Sequence, residues 1–584
     1  MLDNPAASYV EHRPFTTNFR EPRAFERARE WLQNCQDKCR RCELCQICVG
    51  APKNGCKCKD CERCTTCEAC GICPCATKCY PCHLGCRNAD PALPRRVLSL
   101  KNNSLQLYEP RNGETSRYAA LSYCWGKREQ SYQTTEDSLS AGKESIQIDE
   151  LEKSIQDAIT CVRELGIDYL WVDCLCIMQD NYEDKKSTIK DLKNIFYDAT
   201  VTIIAEYAET VSDGFLGDRQ TSPICQLPFY CSSSGLTGSV TLMPIVKLEM
   251  DYIWPRPVRS GTTDRAWCLE EYLLSPRKLI YGEFDFRWSC QARSYKPHYP
   301  MDVDRRDGDS SMASWDTVFH DYKTERQKAV RWIRIVQEYS IRNLTEFEDQ
   351  SRAIAGIGEK LAEMSSRRYI EKCGIFTNNQ SSAEIRGEIL CWVADREAKG
   401  AVPGFPSWSW LSVKHGNFAH FQKVGPFDSI FRIEIYSEAD GVLRVNAALV
   451  PVSGLRQRIY VRSDTNGADN YDHNDYYRDC SLLCFDYFCH TEYSGLVVWP
   501  KRRENCSRNE EQEWVRVGWF AASDNPDANE KVSVDLRDSY NDPPSSDTDR
   551  LEIAEYYKMH THFLGEARIA RKKDYSLAKS ILLA

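Results

Sequence analysis

The stretch Tyr169–Asp180, YLWVDCLCIMQD, constrains this chain more than any other. Tyr169, Leu170, Trp171 and Val172 form a continuous apolar run that reads as a buried strand, with Asp173 following at its carboxyl end. Upstream, Leu151, Ile155, Ala158, Ile159, Val162 and Leu165 recur at helical spacing. They predict a helix over residues 149–165, with Asp149 as its N-cap and Gly166 where a C-cap belongs. Downstream, Ile189, Leu192, Ile195, Phe196 and Ala199 make a second helical stripe that runs into the β-branched TVTIIA of residues 200–205. Helix, strand, helix, strand is an α/β unit. In such sheets, sites form outside the carboxyl ends of the strands, which makes Asp173 a candidate site residue, beside the plainer roles of cap and ion-pair partner.

Strand-like pieces precede this unit, VLSL at residues 97–100 and LQLYE at 105–109, with a turn at Asn112-Gly113. LSYCWG at residues 121–126 reads as a packed strand ending in a tight turn. No glycine-rich phosphate loop follows either central strand. The loop over residues 206–260 is long enough to hold a small hairpin or a lid. A short helix then spans Arg265–Ser275 and stops at Pro276. Its apolar residues Ala266, Trp267, Leu269, Leu273 and Leu274 cover a wide arc, so Glu270 and Glu271 sit against apolar neighbours. A buried carboxylate is costly unless paired, and either a structural salt bridge to Arg265 or Arg277 or a functional role accounts for it.

Four segments, ALSYCWG at 120–126, DAITCVRELGIDYLWVDCLCIMQD at 157–180, IFYDATVTIIA at 195–205 and RAWCLEEYLLSPRKL at 265–279, resemble in order the motifs of the fungal heterokaryon-incompatibility (HET) domain. YSIRNLT at 339–345 and PSWSWLSV at 406–413 resemble the sequence that trails it. The resemblance spans about residues 95–413 and implies an α/β core with flanking helices in an effector of non-self recognition that triggers cell death. Its core is also similar to TIR domains, some of which cleave NAD at the nicotinamide glycosidic bond. The glutamate of their Trp-Cys-Leu-x-Glu motif falls on Glu271, whereas helical geometry alone favours Glu270 as the more enclosed. Arg265, Trp267 and Asp173 are then the candidate NAD contacts. Nicotinamide leaves as a neutral ring, so one carboxylate that stabilises an oxocarbenium-like ribose suffices.

A net charge of −9 gives no general attraction to nucleic acid or to anionic membranes. No apolar run approaches the ~18 residues of a membrane span. The first residues, MLDNPAASYVEHRPF, lack the apolar core of a secretory signal, which predicts a cytoplasmic protein in which disulfides are disfavoured.

That setting bears on the 16 cysteines, of 30 in the chain, that lie between residues 35 and 86: Cys35, Cys39, Cys42, Cys45, Cys48, Cys56, Cys58, Cys61, Cys64, Cys67, Cys70, Cys73, Cys75, Cys79, Cys82 and Cys86. On a helix, steps of three would carry successive thiols around the axis, so short turns offering Cys-x2-Cys pairs to one metal use the spacing better. Structural zinc tetrathiolates fit first, and iron–sulfur ligation second, because Cys64, Cys67, Cys70 and Cys73 followed by Pro74 lack the final gap of the ferredoxin run. Disulfide knots or a low-complexity tract are the plain alternatives. This run lies outside the HET resemblance.

The expected organisation is an N-terminal extension (residues 1–34), a cysteine-rich metal-stabilised segment (35–90), the HET domain as a TIR-like α/β sheet (91–300), a helical extension ending in PSWSW (301–420) and a β-rich C-terminal region with disordered loops (421–584). Three function classes follow: a HET cell-death effector acting through NAD cleavage, a non-enzymatic module that signals by self-association or through another incompatibility protein, and a zinc-dependent binding protein. The metal reading makes a direct prediction. The purified chain carries tightly bound zinc, up to about four ions for sixteen thiolates. Elemental analysis of metal per chain checks it, and a metal-free folded chain would remove the reading.

Overall fold

The computed structural model describes residues 18–41, 90–126, 130–218, 225–242, 261–282 and 286–290, then 325–363, 367–378 and 404–412, together with short strands at 293–295 and 303–304 and a set of strands between 392 and 583. The chain divides into two compact units, the first covering residues 1–249 and 256–324 and the second residues 250–255 and 325–584.

The first unit is built on a mixed sheet. Four parallel strands form its centre: β3 (Tyr118–Ser122), β4 (Tyr169–Trp171), β5 (Val201–Ile204) and β8 (Arg277–Tyr281), adjacent in the order β4-β3-β5-β8. Antiparallel strands extend both sides. β1 (Val97–Ser99) and β2 (Gln106–Tyr108) lie beyond β4, and β9 (Phe286–Cys290) lies beyond β8. These seven strands carry described side chains, and the short β10 (Arg293–Tyr295) and β11 (Val303–Asp304) extend the ladder to nine. Numbered along the chain, the parallel strands lie second, first, third, fourth, the doubly wound order that reverses direction between β3 and β5. The crevice at that reversal is the expected place for a site.

The helices form where the apolar periodicity puts them, with shifted starts. Lys153–Glu164 follows a separate 3-10 turn at Ile148–Glu150, because Leu151 and Glu152 are extended, so Asp149 is not its N-cap. It ends as expected, with Gly166 at φ +68. The second helix, Tyr182–Asp198, starts a full turn or more ahead of its apolar stripe because the Asn181 side chain caps it, accepting from Asp184 N at 3.0 Å. The third spans Ala266–Leu274.

Strand alternation sorts the core onto two faces. On one, Trp171 meets Phe196 edge-on at 5.6 Å, the Tyr118 hydroxyl donates to Ile195 O at 2.6 Å, and Ser275 Oγ bonds Thr202 Oγ1 at 2.7 Å, so the second and third helices cover it. On the other, Tyr281 meets Cys161 at 3.2 Å and packs with Phe19, Phe215 and Phe286, under the Lys153–Glu164 helix and the N-terminal helix Pro22–Arg41. Asp157, buried, ties this side together. It accepts from Phe215 N at 2.8 Å and Leu216 N at 3.0 Å and pairs with Lys153 at 3.0 Å and with Arg20.

The long loop after β5 does contain a hairpin, β6 (Cys225–Cys231) paired with β7 (Leu236–Leu242). Cys35 is buried in the N-terminal helix, which also contains Cys39. The other cysteines of the expected metal segment, Cys42 to Cys86, fall outside the described residues, and among the described residues no group of three metal-binding side chains is present. No described helix is long and apolar enough to cross a membrane.

The second unit begins with the helix Glu325–Ser340, whose Trp332, Ile333, Val336 and Tyr339 are buried as their spacing predicts. A second helix follows at Arg352–Glu363, then a hairpin, Arg367–Ile370 with Ile375–Asn378. The PSWSW motif is core: Trp408 and Trp410 are buried, and the Trp332 and Trp410 indoles both donate to Gly374 O at 3.1 Å. The C-terminal region contains an eight-stranded sheet among the described residues. Within it, Val442–Pro451, Ser481–Phe488, Glu492–Pro500, Glu513–Ser523 and Ala578–Leu583 pair in turn, and the last also pairs with the first, closing a five-stranded ring. The stretches expected to be disordered loops, residues 463–477 and 523–549, fall almost wholly outside the described residues.

Gly374 holds φ +65, and a Cβ there would lie 2.7 Å from Trp410 Nε1. Gly374→Ala is therefore expected to destabilise the second unit by about 2 kcal/mol or more, since strain and overlap add. Thermal unfolding of the variant beside wild type checks this, and an unchanged transition would contradict the packing.

Candidate functional site

The groups at the sheet reversal come from three segments: the turn after β3, the end of β4, and the start of the Ala266–Leu274 helix. Asp173 begins a one-turn helix, Asp173–Cys176, straight after extended Val172. Its Oδ1 accepts from the Tyr123 hydroxyl at 2.8 Å and from Cys174 N at 2.7 Å, and its Oδ2 accepts from Trp125 Nε1 at 2.8 Å. A second support stands behind Tyr123, whose hydroxyl accepts from Gln130 Nε2 at 3.0 Å. Three donors therefore hold a carboxylate beside a buried strand end, and the turn after β3 is pinned to β4 through it.

Glycines make this closeness possible. Gly126 ends the turn at φ +84, where a Cβ would sit 3.0 Å from the Thr210 side chain. Gly261 packs under the same turn, and a Cβ there would overlap the Ala208 carbonyl and lie 2.8 Å from Cys124 Cβ. The loop following β5 thus closes over the turn following β3.

Arg265 precedes the helix with extended backbone and donates from Nη1 to Tyr123 O at 2.8 Å, which Cys268 Sγ also approaches at 3.8 Å. The guanidinium lies among negative partners. Burial alone would lower its pKa, but Cys268, Glu271 and Asp173 together raise it, so it remains a fixed cation. Of the two helix carboxylates, Glu271 is the one coupled to this cation. Burial pushes its pKa up to about 7, and the nearby Asp173 charge adds to the rise; Arg265, Ser122 and Cys268 pull the other way. Ser122 Oγ lies beside the carboxyl without an aligned hydrogen bond, and Glu271 Oε2 is buried with no hydrogen-bond partner in the structure. Such an orphaned oxygen typically costs about 1–3 kcal/mol. Burial likewise raises the pKa of Asp173, against the opposing field of Arg265 and its hydrogen bonds.

All five residues singled out from the sequence are thereby located. Glu271, Arg265 and Asp173 come together. Glu270 is the more enclosed of the helix pair, 2% exposed against 9%, as helical geometry predicts, yet Glu271 is the one coupled to Arg265. Trp267 is partly buried one position into the helix and gives Asp173 no hydrogen bond; Trp125 supplies the indole instead. Tyr123, Trp125 and Gln130 are the partners that sequence reasoning did not place. The signal was present as a polar-tipped aromatic pair in SYCWG, but strand alternation alone does not say which aromatics turn toward a neighbouring strand end.

Comparison with protein-family models matches residues 118–271 to the family described as Heterokaryon incompatibility protein (HET). The match opens on the first residue of β3 and closes on Glu271. Comparisons with curated proteins and with solved structures gave no match.

Because the folded pKa of Glu271 lies above the ordinary carboxylate value of about 4.3, the folded state binds the proton more tightly. Stability from this group is full at low pH and falls as pH rises through about 7, by an amount of order 3 kcal/mol; Asp173 acts in the same direction. Glu271→Gln removes the share of that slope that belongs to Glu271. The expected result is a smaller drop in melting temperature between about pH 5 and pH 8 for the variant than for wild type, and parallel curves would contradict the assignment.

Proposed function

Residues 118–271 are a HET domain, which marks a heterokaryon incompatibility protein, and from that premise we propose that the chain is a cell-death effector of non-self recognition that works by cleaving NAD. The observation that carries this reading is Glu271: a buried carboxyl with a free oxygen and a pKa pushed up to about 7, at the sheet reversal where doubly wound folds bind ligands. The resemblance of the WCLEE segment to the glutamate motif of TIR domains supports giving Glu271 this role.

The chemistry asks little of the protein. The bond between the ribose C1′ and the nicotinamide nitrogen breaks with its electron pair going to the ring, which leaves neutral, so no acid is needed. The ribose becomes oxocarbenium-like, and Glu271, ionised beside that charge, stabilises it. Water then adds to C1′, and its proton passes to Glu271 or to solvent. Arg265 serves the anionic pyrophosphate or holds the turn through Tyr123 O, while Asp173 keeps Tyr123 and Trp125 in place as a wall of the site. In this reading Asp173 acts chiefly by positioning, since both of its oxygens already accept hydrogen bonds.

The test is nicotinamide release from NAD by the purified full chain. Release is expected from wild type and Glu270→Gln, with a loss of about a hundredfold or more in Glu271→Gln, the scale set by removing a group that stabilises transition-state charge. Expression toxicity should follow the same pattern. Release unchanged in Glu271→Gln, or no release from a folded chain, would overturn the catalytic assignment.

A further inference from the structure

Residues 18–41 lie well before the matched family segment 118–271, yet they are built into the core of the first unit. Phe19 is fully buried and meets Tyr281 at 5.8 Å and Phe286 at 5.5 Å, while Trp31 meets Phe286 at 5.1 Å. Two polar side chains flank Phe19. Asn18 Nδ2 donates to Asp218 Oδ1 at 2.7 Å, at the far end of the loop that follows β5, and Arg20 pairs with Asp157. Arg20 N donates to Asn18 Oδ1 at 2.8 Å, so one short turn presents both side chains.

Asp157 divides its partners between its two oxygens. Oδ1 takes the cations Arg20 and Lys153, and Oδ2 takes the loop amides Phe215 N at 2.8 Å and Leu216 N at 3.0 Å. The cations thereby orient the oxygen that catches the loop. At Gly214, φ is +69 and a Cβ would lie 2.8 Å from Asp157 Oδ2, so the loop backbone passes the carboxylate at a distance that glycine permits. The same loop is gripped further back, where Ser154 N donates to Val211 O at 2.8 Å and Ser212 Oγ donates to Glu152 Oε2 at 2.8 Å. From there it reaches the candidate site. Val211 N donates to Trp125 O at 3.5 Å, and the Thr210 side chain packs on Gly126. Trp125 is the residue whose indole donates to Asp173. Contacts therefore run without a break from Arg20 through Asp157 and the loop to Trp125 and Asp173.

We propose that Arg20 is a positioning residue for the candidate site: through Asp157 it fixes the loop following β5 against Trp125, and so holds the wall made by Trp125 and Asp173. Its catalytic consequence rests on the NAD-cleavage reading, and its positional consequence does not. The Arg20 side chain is 42% exposed, and Lys153 and both loop amides stay on Asp157 when it is removed. Its loss should therefore loosen the loop without unfolding the unit. On this reading the matched family segment by itself is an incomplete site.

Hydrogen exchange in the full chain, read by NMR, tests the positional part. In Arg20→Ala the amide protons of Phe215 and Leu216 and the indole proton of Trp125 are expected to exchange about tenfold faster than in wild type. Arg20→Lys keeps the charge and should restore most of the protection. Arg29→Ala, which removes the contact of the same N-terminal helix with Glu164, should leave all three protons as they were. Nicotinamide release from NAD should fall about tenfold in kcat/KM in Arg20→Ala, the cost of a displaced wall with Glu271 still present. If wild type releases no nicotinamide, the NAD reading falls and exchange alone decides the role of Arg20. Three results would overturn the proposal: unchanged exchange at any of the three protons in Arg20→Ala, an equal effect of Arg29→Ala, or faster exchange with release kept at the wild-type rate.

Discussion

The site depends on one carboxylate held by three donors. A strand buried on both faces must end somewhere, and β4 ends on Asp173, whose charge cannot be left bare beside Leu175, Cys174 and Cys176. Tyr123, Trp125 and Cys174 N satisfy it, and the first two belong to the turn after the neighbouring parallel strand. One interaction therefore closes the turn, sets the backbone carbonyl of Tyr123 that Arg265 and Cys268 address, and so positions the start of the Ala266–Leu274 helix. Glu271 sits one helical turn further on, beside β3 at Ser122. Its orphaned oxygen is tolerated because Arg265 is fixed nearby as a cation.

The opposite side of the sheet is organised by a second buried carboxylate with different surroundings. Asp157 is met by two cations and two backbone amides. The contrast with Glu271 separates structural acids from a candidate functional one. Both are buried, but Asp157 is saturated with partners, whereas Glu271 retains an unpaired oxygen and a proton affinity near neutrality. Saturation favours a role in folding, and an unmet oxygen is what a ligand can use.

The seven strands with described side chains extend beyond the matched family segment: β1 and β2 precede it, and β8 and β9 follow it. The family segment supplies three of the four parallel strands and the helix that bears Glu271. Of these, β1, β2 and β9 are antiparallel to their neighbours, and β1 and β2 were visible in the sequence only as short apolar pieces, VLSL and LQLYE. The pairing of β1 with β4 could not be read locally, because antiparallel and parallel neighbours place the same demand for apolar residues on a buried strand.

What the sequence determined by itself was the order of elements and the candidate acids. The helical stripe before Gly166, the run YLWV, the TVTIIA strand and the WCLEE helix each carry their periodicity within one element, and local sterics and burial act at that range. The buried glutamate pair and Asp173 at a strand end were legible for the same reason. Tertiary structure decided which glutamate meets Arg265, and that Trp125 rather than Trp267 bonds Asp173. It also placed the strand reversal between β3 and β5. The last two outcomes depend on contacts between residues tens of positions apart, for which a single sequence carries no spacing signal.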